Sequence, residues 1–182
     1  MNFDQVKQIV LPETLWQKII DHCRRKHEGN YLEGESKTGR AYGLLAGTHS
    51  QTTLNVKRIF PFKKNVRDQE PYRTYMDNLM QQYAVPSKTP LSGRGWITDP
   101  EELKATYDIC DYEGLGVFGT YHAHYVGWEH DPMRDTPTLL DTVLAKDSNL
   151  FSFIVAMVDV APPGIKAFYE GLADWEVPIV IE

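Results

Sequence analysis

Gly114-Leu-Gly-Val-Phe-Gly-Thr-Tyr-His-Ala-His124 is the stretch on which the reading of this 182-residue chain turns. It alternates as a buried strand does, and side chains two apart on a strand share a face, so His122 and His124 point the same way. Two imidazoles pre-spaced on a rigid backbone are half of a metal site. An acid-rich loop follows and ends in Thr138-Leu-Leu-Asp141, which offers a carboxylate as a third ligand. Three protein ligands with the fourth position left to water is the layout of a catalytic zinc site.

The composition suits that reading. Apolar residues make up 42% of the chain and charged residues 24%, ordinary values for a globular protein with a real core. The formal net charge is −6, and Arg24-Arg25-Lys26 is the one basic run, which argues against nucleic acid or an anionic membrane as partner. Cys23 and Cys110 fall in helical patterns and are expected as reduced core thiols. No apolar run approaches the roughly 20 residues that span a bilayer, and no signal peptide is legible, so a cytoplasmic protein is expected.

Working outward from the histidines, Asp99-Pro-Glu-Glu102 is a helix start: Asp99 caps, Pro100 takes the first position and Glu102 falls where a capping box puts its acid. Leu103, Tyr107 and Cys110 continue the stripe to Gly114. Beyond the acidic loop, Leu139, Leu140, Val143 and Leu144 mark another helix, Leu150–Val160 a long strand, Ile165–Tyr169 its antiparallel partner and Trp175–Ile181 a final strand. Upstream, Val6–Leu11 reads as an edge strand. Residues 12–28 read as an amphipathic helix carrying Leu15, Trp16, Ile19, Ile20 and Cys23, with His22 and His27 as solvated or helix-end cations. Residues 29–40 are a polar loop with Glu33 and Glu35. Ala41–Gly47 and Leu54–Phe60 form a hairpin, with His49 exposed in its turn. Residues 61–97, broken by prolines and glycines, read as an insertion with a short helix at 72–83, either a substrate-facing flap or a surface excursion. Everything fits one domain over 1–182.

Three stretches together resemble the JAMM metallopeptidases, the MPN or JAB domain family. They are Tyr42-Gly-Leu-Leu-Ala-Gly47, the run from Asp99-Pro-Glu-Glu to His124, and Pro137-Thr-Leu-Leu-Asp141. The resemblance implies an α/β (α+β) fold, a mixed sheet flanked by helices akin to the cytidine-deaminase-like folds. It also implies Zn2+ held by His122, His124 and an aspartate, and hydrolysis of a peptide or isopeptide bond, with a peptide, ubiquitin-like or sulfur-carrier protein as substrate. Thr138 stands where the family has an oxyanion-donating serine.

Two acids compete to be the third ligand. The family's loop length lands on Asp135; the helix context favours Asp141, because loops absorb insertions more easily than packed helices. Thr138-x-x-Asp141 is also a plain helix cap needing no metal. The chain departs from the family where it matters most. The catalytic glutamate belongs three residues before the Gly43-Leu-Leu run, and Arg40 occupies that place. Glu35, or Glu33, is the candidate replacement base from the preceding loop. Two functions follow: a zinc-dependent hydrolase, or a catalytically degenerate module that binds or scaffolds.

Overall fold

The computed structural model describes residues 3–87 and 89–182. The chain runs β1 (Gln8–Leu11), α1 (Glu13–His27), β2 (Tyr42–Ser50), β3 (Thr53–Pro61) and α2 (Tyr72–Tyr83). A 3₁₀ turn at Leu91–Gly93 leads to α3 (Pro100–Glu113), β4 (Gly116–His124), α4 (Leu139–Ala145), β5 (Phe151–Ala156), β6 (Gly164–Tyr169), β7 (Glu176–Val177) and β8 (Ile179–Ile181). The strands form one eight-stranded mixed sheet in the order β7-β6-β5-β4-β2-β3-β1-β8. The expected class, a mixed sheet flanked by helices, is the one observed.

Strand β4 lies inside the sheet, antiparallel to β2 and parallel to β5. A bulge opposite Leu45 and Ala46 takes up Phe118, since Leu45 pairs with Gly119 and Ala46 with Val117. Beyond that bulge the alternation runs unbroken, so Tyr121 and Ala123 face one side and His122 and His124 the other. On the Tyr121 side, α1 buries Trp16, Ile19, Ile20 and Cys23 against Ile9, Leu11, Leu45, Phe153 and Val155. On the histidine side, Tyr42, Leu44, Ala46, Phe62 and Cys110 form a second cluster with Leu103 and Trp96. Gly43 faces Tyr121: a Cβ there would lie 2.5 Å from the tyrosine ring and 2.4 Å from the Phe60 carbonyl oxygen. Only glycine lets that ring cross β2. Both cysteines are buried and free, as expected.

Several expectations need correction. Strand β1 is not an edge: it pairs in parallel with both β3 and β8. The Trp175–Ile181 strand is two strands. Pro178 has no N–H to continue a ladder, so Val177 stays on β6 while Ile179 crosses to β1, and the Pro178 carbonyl accepts from Ile9 N at 2.9 Å. Because β7 and β8 are the two ends of the strand order and one residue separates them, the sheet curls until its edges nearly meet. Strand β5 ends at Ala156 rather than Val160, whose side chain is exposed at the turn. Leu139 and Leu144 are exposed, so α4 does not bury the stripe its leucines suggest. Glu102 does not complete a capping box. Asp99 accepts from the amides of Glu101 and Glu102, while the Glu102 carboxylate accepts from Lys63 N and Lys64 N at 2.8 and 3.0 Å, tying α3 to the end of the hairpin.

Residues 61–97 are a tethered cover. Arg67 is fully buried and donates to the carbonyls of Arg94 (2.9 Å) and Leu91 (2.8 Å), to Asp68 (3.0 Å) and to Asp77. One guanidinium thus binds both flanks of α2, which falls at the expected residues 72–83. Among the described residues, no helix is long and apolar enough to cross a membrane.

Candidate metal centre

The two histidines converge. His122 Nε2 and His124 Nε2 stand 3.1 Å apart, and Asp141 Oδ1 is 3.4 Å from His122 Nε2. Among the described residues, this trio is the group of metal-ligating side chains whose ligand atoms all lie within 4.8 Å of one another. Each member comes from a rigid source: the histidines from one interior strand, and Asp141 from the first turn of α4.

Hydrogen bonds fix how His124 and Asp141 point. His124 Nδ1 lies 2.8 Å from the Arg134 carbonyl oxygen, which only accepts, so Nδ1 carries the proton and Nε2 keeps its lone pair. Thr138 and Asp141 form a reciprocal capping box: Asp141 N donates to Thr138 Oγ1 at 3.3 Å, and Asp141 Oδ2 accepts from Thr138 N at 2.7 Å and Thr138 Oγ1 at 2.8 Å. Oδ2 is thereby occupied and Oδ1 is turned to His122. The helix-cap and ligand roles of Asp141 are compatible, one for each oxygen.

The surroundings favour neutral imidazoles and an ionised carboxylate. Burial lowers the pKa of both histidines, with the nearby Arg134 charge acting the same way, and His124 falls to about 3. Burial pushes the Asp141 carboxyl up, but His122, His124 and the Thr138 hydrogen bonds outweigh it and hold it below the usual carboxylate value. These are the protonation states a cation needs.

Two of the three donor separations suit zinc. Tetrahedral coordination at zinc–ligand distances of 2.0–2.1 Å implies donor–donor separations of about 3.3 Å. The 3.1 and 3.4 Å found here bracket that value. In metal-free protein a proton must sit between the two imidazole nitrogens, because two lone pairs at this distance repel.

Ahead of the trio lies a cavity of about 700 Å³. Its walls include Met76 and Met80 of α2, Trp96, Leu140, Arg40, Arg94 and Arg134, so part of the 61–97 segment covers the cavity. Trp96 stacks on Tyr42 at 4.6 Å between ring centroids and lies 6.0 Å from the His122 ring.

Other residues singled out in the sequence lie elsewhere. Asp135 is ion-paired with Lys166 of β6 at 3.0 Å, so Asp141 is the acid brought to the histidines. Glu35 is on the α1 side of the sheet. Its two oxygens accept from Arg25 at 2.6 and 2.7 Å, and one also accepts from Leu32 N at 2.8 Å. Burial would raise its pKa, yet Arg25 and the Leu32 amide hold it down to about 2. Glu33 is exposed. Neither lines the cavity, where Asp141 is the one carboxylate among the described residues. The Thr138 hydroxyl is spent on Asp141, which makes it an orienting group instead of a free oxyanion donor. In the loop, His130 rests against Trp128 and Asp131 accepts from Arg134 N and Thr136 Oγ1. His22 is not solvated: it is buried on α1, with Nδ1 2.8 Å from the Tyr121 hydroxyl. His27 stacks on Tyr125, and His49 is half-buried against Phe3. Sequence reasoning missed Arg134, whose carbonyl orients His124 and whose guanidinium sits 3.4 Å from the centre of the Trp128 ring. No periodic signal marks a residue that acts through its backbone.

No protein-family model and no curated protein matches the chain. Among solved structures, it is similar to the solution structure of protein DSY2949 from Desulfitobacterium hafniense. The two are 21% identical with a TM-score of 0.61, over 96% of this chain and 92% of that one. At that identity the likeness speaks for the fold alone.

Proposed function

We propose that this chain is a zinc-dependent hydrolase with a JAMM (MPN/JAB)-type, cytidine-deaminase-like fold, cleaving a peptide or isopeptide bond in a peptide, ubiquitin-like or sulfur-carrier substrate. The observation that carries the reading is the convergence of His122 Nε2, His124 Nε2 and Asp141 Oδ1 at the floor of a roomy cavity. When bound, zinc supplies Lewis acidity, polarising a carbonyl and lowering the pKa of a water molecule. His122, His124 and Asp141 hold the ion. Thr138 and the Arg134 carbonyl keep Asp141 and His124 turned toward it, as the outer partners of metal ligands do. Met76, Met80, Trp96 and Leu140 keep the cavity largely apolar, which strengthens electrostatic interactions inside it.

A second reading rests on one specific observation. Among the described residues no glutamate lines the cavity, and Arg40 stands in its wall instead. General-base assistance is typically worth 10²–10⁴-fold in rate, so turnover without it is slow. On this second reading the chain is a degenerate MPN-type module that keeps the fold, with or without metal, and binds or scaffolds. Elemental analysis of purified protein, followed by a cleavage assay on a ubiquitin-like fusion before and after chelation, separates the two. Zinc near one equivalent with chelator-sensitive cleavage supports the hydrolase. Zinc without cleavage leaves the binding or scaffold module, and protein without zinc sinks the hydrolase and its metal site.

A further inference from the structure

Arg40 holds a charge that the protein does not answer. Tyr42 pairs with His122, and Ala123 N donates to the Ala41 carbonyl at 3.0 Å, so Arg40 stands one step beyond that rung, on the face of Tyr42 and the histidines. Its Nη2 donates to the Ser92 carbonyl at 2.8 Å, while its Nη1 is buried without any hydrogen-bond partner. Among the described residues, no carboxylate lies within 4.0 Å of it; Asp68, whose field it feels, is taken by Arg67 at 3.0 Å. Of the other two arginines of the cavity, Arg94 donates to the Val85 carbonyl, and Arg134 lies over Trp128 with its Nη1, also without a hydrogen-bond partner, facing the Asp131 carboxylate at 3.8 Å. With Asp141 turned to the histidines, the cavity keeps a surplus of positive charge above apolar walls. An unpaired buried guanidinium donor is costly to leave unmade, and a carboxylate is the group whose geometry matches it.

We propose that Arg40 anchors the carboxylate of a ligand whose apolar body lies against Met76, Met80, Trp96 and Leu140. The anchor deepens the hydrolase reading by giving its substrate or product an acid group beside the metal, yet it stands on the cavity alone. The soft thioethers of Met76 and Met80 and the Tyr42–Trp96 stack suit an aromatic or branched body.

The test is calorimetric titration of the full chain, as purified and after chelation, with 4-phenylbutyrate and its uncharged isostere 4-phenylbutanamide. The acid is expected to bind at least tenfold more tightly than the amide in both preparations. Arg40→Gln is expected to abolish that preference with zinc content unchanged, and Arg40→Lys to keep part of it. The assignment is overturned if acid and amide bind alike or not at all. It is equally overturned if the preference survives Arg40→Gln, which would place the anion on another arginine, or disappears on chelation, which would place it on the metal. Because the chelated protein is titrated as well, failure of the zinc reading and failure of the Arg40 anchor give different results.

Discussion

The two faces of β4 each bury histidine beside polar groups, and they treat it in opposite ways. On the α1 face, His22 meets the Tyr121 hydroxyl at 2.8 Å, Glu35 is clasped by Arg25, and Lys26 Nζ donates to the Ser36 carbonyl at 2.9 Å. Donor faces acceptor, and the charges close on one another. On the other face, two nitrogens of the same kind point at each other with a carboxylate oxygen beside them and open volume ahead. The first arrangement leaves His22 Nε2 without a partner but gathers no set of ligand atoms; the second brings three ligand atoms together beside a cavity. Burial alone therefore does not mark a functional histidine. What sets the trio apart is the convergence of three ligand atoms, with His124 Nδ1 and Asp141 Oδ2 already held.

That contrast can be broken by mutation. The largest expected effect is loss of the metal: His122→Ala or Asp141→Asn should reduce zinc from about one equivalent to background. Asp135→Asn, which touches only the Lys166 pair, should leave it in place. Retention of zinc by Asp141→Asn with loss in Asp135→Asn would reverse the ligand assignment.

Next in size is Thr138→Val, which removes the hydroxyl that holds Asp141 Oδ2. Competition with a chelating dye should show zinc affinity weakened by about 10–100-fold, and Thr138→Ser should restore most of it. An unchanged affinity would make Thr138 a helix cap and nothing more.

The closed face should answer to pH. Burial lowers His22 from 6.5 to about 4, so the folded state prefers its neutral form. The stability this contributes is full above pH 6.5 and is lost as pH falls through the interval down to 4, where the unfolded chain binds the extra proton. Between pH 7 and pH 5, wild type should lose about 2 kcal/mol more than His22→Gln in urea unfolding of metal-free protein. Parallel pH profiles would mean that His22 is not the titrating group. Smallest is Tyr121→Phe, which strips His22 of its partner. It should cost about 1–2 kcal/mol of stability and leave zinc binding untouched, and any change in zinc would mean that the two faces communicate through β4.

Much of the candidate metal centre was legible in one dimension because strand alternation is local. Two residues apart on a strand means one face, and Thr-x-x-Asp means a first helical turn with its acid oriented; neither statement needs the rest of the fold. The hairpin, α2 and the Asp99 cap were readable for the same reason. The errors fall where a long-range partner decides. Glu102 left its own helix end for the amides of residues 63 and 64, and His22 found Tyr121 across 99 positions of chain. Trp175–Ile181 read as one strand, and nothing near Pro178 says that the chain there crosses to the far edge of the sheet.

By itself, then, the sequence determined that two imidazoles share a face, that an aspartate sits at a helix start downstream, and that an arginine stands where a base was expected. The tertiary structure decided which aspartate reaches the histidines, that Glu35 is committed to Arg25 on the other side of the sheet, and that Arg40 shares a cavity with the trio. The physical reason is range. Backbone geometry fixes the direction of a side chain from its immediate neighbours, whereas the group it meets is set by sheet order and by the packing of elements far apart in the chain.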